Sequence, residues 1–229
     1  MKKIVIGALL VVVLIAAILI GGIGGNNGMQ SKFMAFAFGN NSEVTIYGEE
    51  ETDLIAIEDI ESVEIIPLEK ITINDIDILL GMDKVGVTAL LGIGEVVGEG
   101  IRYFDGELGV YYDVNGKVEF IEFYSGIDGK LKPTIYGVPV FQTKASELTA
   151  IIAEHDESGI TYADNASEIA FENISVGVYR DITPDNVASM KAEMIAEGVL
   201  DENDEDYLYD VERSQYWSTI GIGVEGYYK

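Results

Sequence analysis

Apolar residues dominate the start of the chain. After Lys2 and Lys3, residues 4–20 carry no charged or polar side chain, and residues 21–23 extend the run to twenty. A helix rises about 1.5 Å per residue, so such a run covers the roughly 30 Å hydrocarbon layer of a bilayer. We therefore predict a transmembrane signal-anchor over residues 1–23.

The charges that flank this apolar run predict its orientation. Lysines precede it and acidic sequence follows it, which favours a single-pass cell-membrane protein with its N-terminus inside and its domain outside. The alternative is a secretory signal cleaved among the small residues near Gly22 and Gly24, which would leave a secreted domain.

Short apolar runs with turn residues between them follow the apolar run. The Gly/Asn-rich residues 24–32 are typical of a flexible tether. Large and small apolar residues alternate over 33–38, and further short apolar runs at 44–47 and 54–57 have the length of strands. These patterns predict a β-rich lead-in over residues 33–69.

A strand pattern and a helix pattern adjoin in the centre of the chain. β-branched and apolar residues predict extended chain over 71–73 and 76–80. Asp83 is then placed to cap a short helix that Gly92 would end in a left-handed conformation. The apolar face of this helix is predicted to consist of Val87, Leu90 and Leu91.

A β-hairpin is predicted next, and with the preceding helix it completes a first α+β unit over residues 70–126. Residues 108–114 and 117–124 have strand composition, and Asn115–Gly116 between them favours a type I′ turn. This hairpin carries the densest group of aromatic residues in the unit.

Similar patterns in the last hundred residues predict a second α+β unit over 133–229. A strand over 133–141 leads to a helix capped by Ser146. A second helix runs from Pro184 to about Glu197, and residues 201–206 are predicted to form an acidic loop.

The order of elements in the two units indicates a divergent duplication, although the residues match weakly, so an unrepeated chain is the alternative. The predicted fold class is therefore α+β. It has antiparallel sheets with a few packed helices, a duplicated unit and an N-terminal transmembrane helix.

Charge changes the functional picture. The chain has 40 acidic and 14 basic residues, for a net charge of −26. Such a surface repels phosphate backbones, so nucleic acid is excluded as a partner, whereas a basic protein or loosely bound cations fit it. An acidic surface kept for solubility is the alternative interpretation.

Cysteine is absent and His155 is the only histidine. Disulfides, thiolate metal sites, cysteine nucleophiles and lipid attachment at a cysteine are therefore excluded. A catalytic triad would have to use His155, and no motif marks a nucleophile beside it, so we predict no catalytic residue, no cofactor and a non-enzymatic protein.

One acidic segment has a spacing that suits a metal. Asp201, Asn203 and Glu205, with Glu212 at the twelfth position, imitate the ligand order of a calcium-binding EF-hand loop. The sixth position, where that loop needs glycine, is Asp206. These four residues are a candidate weak calcium site, and a solvated acidic loop is the alternative.

Aromatic residues suggest a contact surface for another protein. Alternation along strands should turn some of them outward, where tyrosines framed by acid would suit a basic partner. Core packing and cross-strand pairing are the alternative. The candidate protein-binding residues are Tyr103, Tyr111, Tyr112, Tyr216 and Trp217.

The central unit resembles a known family. The pattern of glycines and apolar residues over 81–124 is similar to the repeat unit of the BamE/small-protein-A and β-lactamase-inhibitory-protein group. The residues that carry it are Gly81, Met82, Asp83, Lys84, Val87, Leu90, Leu91, Gly92, Tyr103, Asn115, Gly116, Lys117 and Val118.

This resemblance implies short helices packed on an antiparallel sheet, a bacterial setting, and a role in binding other proteins. The chain departs from the family at Ile93–Gly94, where a proline often follows the helix, in lacking the lipoprotein cysteine, and in being far more acidic. The segment from Trp217 to Tyr227 also resembles small bacterial toxin-immunity proteins, and the lead-in resembles the first strands of bacterial pleckstrin-homology-like modules.

The function predicted from these observations is that of a membrane-anchored, extracytoplasmic, non-enzymatic protein-binding module. Inhibitor, immunity factor and envelope assembly component are the roles that fit it. The alternatives are a cell-envelope hydrolase that uses carboxylates not yet identified, and a cation-responsive surface protein.

Overall fold

A computed structural model describes residues 35–36, 45–46, 55–156, 160–162 and 167–229. The predicted anchor, the tether and about half of the lead-in lie outside these residues. Among the residues that are described, no helix is both long enough and apolar enough to pass through a bilayer.

The chain divides into two compact units, Met1–Asp53 and Leu54–Lys229. In the first unit, β1 (Ala35–Phe36) and β2 (Thr45–Ile46) pair in antiparallel orientation. Both lie within strands predicted for the lead-in. The elements described below belong to the second of these compact units, Leu54–Lys229.

The strands of the second unit are numbered along the chain. They are β3 (Val63–Ile66), β4 (Lys70–Ile73), β5 (Ile76–Leu79), β6 (Glu95–Val97), β7 (Gly100–Tyr103), β8 (Leu108–Tyr112), β9 (Val118–Phe123), β10 (Pro133–Ile135), β11 (Val138–Pro139), β12 (Ile160–Tyr162), β13 (Glu168–Phe171), β14 (Val176–Tyr179) and β15 (Thr219–Gly223).

Four α-helices complete the described part of this unit, together with a 3₁₀ turn at Ile57–Asp59. They are α1 (Lys84–Leu91), α2 (Ala145–Ala153), α3 (Pro184–Glu197) and α4 (Glu205–Arg213).

One sheet has five strands in the order β11-β10-β3-β4-β5, and only its β10–β3 pair is parallel. Alternation along β4 explains its two faces. Ile71 and Ile73 are fully buried. On the other face Asp77 accepts hydrogen bonds from Lys70 Nζ at 2.6 Å and from Thr72 Oγ1 at 2.8 Å.

The other sheet has eight strands, all antiparallel, in the order β12-β13-β14-β15-β9-β8-β7-β6. The C-terminal strand β15 therefore lies between β14 and β9. One buried cluster includes residues of both sheets and of α1 and α2, among them Ile71, Ile121, Leu148 and Trp217. The predicted α+β class with mainly antiparallel sheets is confirmed.

The β8–β9 hairpin has a different turn from the predicted one. The Gly116 N–H donates to the Asp113 carbonyl at 2.9 Å, and Asp113 Oδ1 accepts from the N–H groups of Asn115 and Lys117. Among the turn residues 113–116, only Gly116 has a positive φ, of 73°. A type I′ turn needs two such residues, so the turn is instead a type I turn followed by a glycine bulge.

The limits of α1 match the prediction, but its ends differ in detail. Asp83 occupies the N-cap position without a side-chain capping bond, because its carboxylate pairs with Lys117 Nζ at 2.8 Å. Gly92 has a φ of 84° and a ψ of −158°, which is not the left-handed helical conformation. Leu90 is exposed, so Val87 and Leu91 form the buried face.

The predicted strand over 133–141 is wrong. It is a hairpin of β10 and β11 around Tyr136 and Gly137, both of which have positive φ. Pro139 lies on the outer strand of this sheet, where its missing N–H costs no ladder bond.

The described part of the C-terminal half contains two helices that were predicted, α2 and α3, and one that was not, α4. Lys144 occupies the N-cap position of α2, so Ser146 lies inside the helix and does not cap it. α3 begins at Thr183, which forms a capping box with Asn186, and ends at Gly198 in the left-handed conformation. The acidic loop predicted over 201–206 extends only to Asp204, whose side chain caps α4 through the Tyr207 N–H.

Candidate functional site

The face of the eight-stranded sheet that points away from the core carries a connected group of aromatic and charged side chains. We call it the outer aromatic face. Its residues are Arg102 on β7, Tyr111 on β8, Phe120 and Glu122 on β9, Tyr124 just after β9, and Tyr227 and Tyr228 at the C-terminus.

Alternation along the strands places these side chains together. Ile121 and Phe123 of β9 lie in the core, so Phe120, Glu122 and Tyr124 point the other way. A bulge in the β8–β9 pairing separates the Tyr111–Phe120 pair from the Tyr112–Val118 pair.

Glycines on neighbouring strands make room for the rings. A Cβ atom on Gly221 would lie 2.2 Å from the Phe120 ring, and one on Gly177 would lie 2.2 Å from the Tyr228 hydroxyl. Larger residues would therefore push the rings off the sheet. Phe120 and Tyr227 stack with centroids 4.5 Å apart and an angle of 3° between their planes.

A directed chain of hydrogen bonds crosses the outer aromatic face. Tyr124 donates its hydroxyl proton to Glu122, so its oxygen accepts from the Tyr111 hydroxyl at 2.5 Å. Tyr111 in turn accepts from Arg102 Nη2 at 3.1 Å. The guanidinium carbon of Arg102 also lies 3.4 Å from the centroid of the Tyr124 ring. The hydrogen-bond chain thus passes through two phenols, with a cation at one end and a carboxylate at the other.

Three phenols of this face, Tyr124, Tyr227 and Tyr228, have raised pKa values and stay neutral at physiological pH. Burial, followed by the hydrogen bond to Glu122, raises the pKa of Tyr124 far above its ordinary range. Burial also raises the pKa of Tyr227, and nearby carboxylates, Glu119 first, raise it further. Since only a deprotonated phenol is a good nucleophile, the outer aromatic face suits binding better than covalent chemistry.

Part of the outer aromatic face and its margin is open to solvent. Tyr227 is 41% exposed, and Tyr179 and Val97, on strands at either side, are each 44% exposed. Phe120 is buried beneath Tyr227. A partner would therefore touch the edges of rings whose positions are already fixed.

The structure separates the five aromatic residues predicted to bind protein. Tyr111 lies on the outer aromatic face. Tyr103 and Trp217 are core residues, 5% and 2% exposed, and the indole N–H of Trp217 donates to the Ala145 carbonyl at 3.2 Å. Tyr112, adjacent to Tyr111, necessarily points to the core face, and Tyr216 is half-buried at the end of the α4 segment.

Two residues of the outer aromatic face, Tyr227 and Tyr228, are not among the five predicted binding residues. The last strand, β15, ends at Gly223, and the residues after it turn back so that both rings cover Phe120. Glycine at alternate positions of β15, Gly221 and Gly223, is the signal in the sequence that a ring must lie over this strand.

The four candidate calcium ligands do not form a cluster. Asp201 Oδ1 accepts from the Asn203 N–H at 2.9 Å. Glu205 begins α4 and Glu212 lies in its last turn, about 10 Å apart along the helix axis at 1.5 Å per residue. Within the described residues, no group of three or more acidic or histidine side chains is placed to hold a metal. The calcium site stays a prediction.

A cleft of about 700 Å³ opens beside β7, lined partly by Ile57, Leu91 and Tyr103. Two of its carboxylates, Glu58 and Asp105, both contact Lys130 Nζ, at 3.1 and 3.3 Å. A backbone hydrogen bond and then Lys130 lower the pKa of Glu58, which is the opposite of what a general acid requires.

No protein-family model matches the chain, and neither a curated protein nor a solved structure shows significant similarity to it. The resemblance to the BamE and β-lactamase-inhibitory-protein group therefore stays a prediction. The interpretation of the site depends on its own geometry.

Proposed function

We propose that this chain is a non-enzymatic protein-binding module and that its outer aromatic face docks a basic protein. The observation that carries the proposal is the hydrogen-bond chain from Arg102 to Glu122, which fixes two tyrosines beside the partly exposed Tyr227. Fixed aromatic side chains lose little conformational entropy on binding, so they are efficient contact residues.

Charge around this face supports a basic partner. The carboxylates that raise the pKa of Tyr227 and Tyr228 belong to Glu99, Glu119, Glu122 and Glu168. The cation of the face, Arg102, is already held by Tyr111 and Tyr124. A lysine or arginine from a partner would find ring edges and carboxylates together.

The location of this module follows from the predicted anchor over residues 1–23. We place the domain outside the cytoplasm on a single-pass membrane protein, with secretion after signal cleavage as the alternative. Inhibitor, immunity factor or envelope assembly component are the roles consistent with such a module. The duplicated origin of its two halves remains part of the proposal.

Site-specific photo-crosslinking in the native cells tests this function. A photo-reactive residue at Val97, beside the outer aromatic face, is compared with one at Leu79, which is 45% exposed at the end of β5 in the other sheet. We expect a defined protein adduct from position 97, and none from position 79. With the photo-reactive residue at Tyr179 instead, which is 44% exposed at the margin of the face, adduct formation should fall with Val97→Lys and persist with the matched Leu79→Lys, because the added cation repels a basic partner.

Equal adducts from both positions, or none from position 97, would contradict the proposal. Turnover of an envelope substrate by the full chain, unaffected by Val97→Lys, would favour the hydrolase alternative instead.

A further inference from the structure

A pair of helices, α3 and α4, is inserted between β14 and β15 and has its own small hydrophobic cluster. We call residues 184–213 the helical hairpin. The buried members of the cluster are Ile182, Val187 and Tyr207. Val187 is the only buried residue among the fourteen of α3, so the hairpin is far less covered than the sheets.

Apolar side chains on the helical hairpin remain exposed to solvent. Ile195 and Val199, at the C-terminal end of α3, are 58% and 60% exposed, and Leu208 on α4 is 49% exposed. Met190 and Met194 are only partly buried in the cluster. Methionine is unbranched and polarizable, so it adapts to partners of different shape.

The helical hairpin is also strongly acidic. Between Pro184 and Arg213 there are ten acidic and two basic residues, for a net charge of −8. Both basic residues are already paired, Lys191 with Glu202 at 2.9 Å and Arg213 with Asp210 at 2.7 Å. The other carboxylates lack a matching cation within the hairpin.

The base of the helical hairpin is fixed to the sheet. Arg213 Nη1 contacts Asp181 at 2.5 Å, and Asp181 also accepts from Ser218 Oγ at 3.1 Å. Arg180 Nη1 donates to the Ser214 carbonyl at 2.8 Å. These contacts hold both ends of the insertion, so its exposed apolar residues are presented from a defined position.

We infer that the helical hairpin binds a basic amphipathic helix of another protein. The apolar side of that helix would cover Met190, Met194 and Ile195, while its lysines or arginines would pair with the surrounding carboxylates. A second copy of this chain, with a net charge of −26, and an anionic membrane would both be repelled.

A synthetic peptide tests the inference on the full chain in detergent. The peptide has about eighteen residues, five helical turns, with leucine on one face and lysine on the other. Methyl NMR of the six methionines gives the readout. We expect the Met190 and Met194 signals to shift and that of Met82, beside the main core, to stay.

Variants locate the contact. Ile195→Ser and Leu208→Ser are each expected to weaken peptide binding about tenfold, as the loss of one apolar contact does at an interface. Val85→Ser is the matched control, since Val85 is 66% exposed on α1. Raising the salt from about 0.05 M to about 0.5 M should weaken binding by at least tenfold because the attraction is between charges.

Several results would overturn the inference. They are unchanged Met190 and Met194 signals, equal binding of a control peptide with glutamate in place of lysine, or shifts caused by phosphatidylglycerol vesicles and not by the peptide. Val97→Lys, which tests the outer aromatic face, should leave peptide binding unchanged, so this inference and the proposed function can fail separately.

Discussion

At the scale of single residues, the outer aromatic face depends on glycine as much as on tyrosine. Phe120 lies directly over Gly221, and Tyr228 lies over Gly177. The strand positions under the rings must lack a Cβ atom, and this requirement joins residues that are far apart along the chain.

Gly221→Ala is expected to destabilise the protein by about 1–3 kcal/mol, the usual cost of overpacking a filled site. Its Cβ would lie 2.2 Å from the Phe120 ring. Gly86→Ala, within α1, is the control, and its expected effect on stability has the opposite sign. The added Cβ atom would meet only the flexible Met82 side chain, at 3.2 Å, so this variant should be more stable by up to about 1 kcal/mol. Chemical denaturation measures the free energy of unfolding of both variants. An equal change in the two would contradict the close packing of Phe120 on Gly221.

Alkaline pH should destabilise the fold through Tyr124. Its folded-state pKa is raised above the ordinary 10.0, chiefly by burial and then by Glu122. A raised pKa stabilises the folded protein fully below pH 10.0, and this contribution is lost as the pH rises further. Tyr124→Phe should therefore flatten the fall in the free energy of unfolding above pH 10, measured by denaturation at several pH values. An unchanged slope would show that Tyr124 ionises equally in both states.

The strand alternation and the capping residues of this chain allowed much of its secondary structure to be predicted. The limits of β4 and β9 lie within one residue of the predicted strands, and α3 has the limits of the helix predicted from Pro184 to about Glu197. The orientation of Tyr103 and Tyr111 could not be predicted in this way, because alternation shows that two faces exist without showing which one is covered.

At the scale of elements, α4 illustrates a limit of local patterns. Its first turn is acidic, and only Tyr207 and Val211 mark an apolar face, so the segment has the composition of a solvated loop. The helix forms because Asp204 caps it and because Tyr207 packs against α3. Part of the stability of α4 therefore comes from a tertiary contact, which its own sequence does not reveal.

Acid should loosen the helical hairpin before the sheets. Burial alone would raise the pKa of Asp181, but the hydrogen bonds from Arg213 and Ser218 outweigh it and lower the pKa. A lowered pKa stabilises the fold above the ordinary aspartate value of 3.8, and the contribution is lost as the pH falls through the lowered pKa. Hydrogen exchange of α3 and α4 amides should therefore accelerate below about pH 4 relative to β9.

Asp181→Asn should produce the same acceleration at neutral pH, since it removes the charge that Arg213 meets. Asp77→Asn, which removes a comparable contact with Lys70 in the five-stranded sheet, is the control and should leave α3 and α4 unaffected. Equal exchange in both variants would mean that Asp181 does not hold the hairpin.

At the scale of the whole molecule, each sheet takes strands from both of the predicted units. β15 lies beside β9, with Ile220 opposite Phe123 and Ile222 opposite Ile121. In the five-stranded sheet β10 pairs with β3, again across the predicted boundary. Pairings over such sequence separations leave no local signal, so many of the strands could be predicted from pattern while their pairing across the predicted boundary could not.

This interleaving predicts that residues 54–126 do not fold alone. Without β10 and β15, β3 and β9 would each lose a hydrogen-bonded neighbour, and the buried faces of Ile65 and Ile121 would be open to water. We expect a spectrum of narrow dispersion from this fragment, and recovery of dispersed signals when residues 127–229 are co-expressed with it. A dispersed spectrum from residues 54–126 by themselves would instead mean that this segment folds independently. In that case β15 would be an addition to a complete domain, and the outer aromatic face would be a surface between two domains.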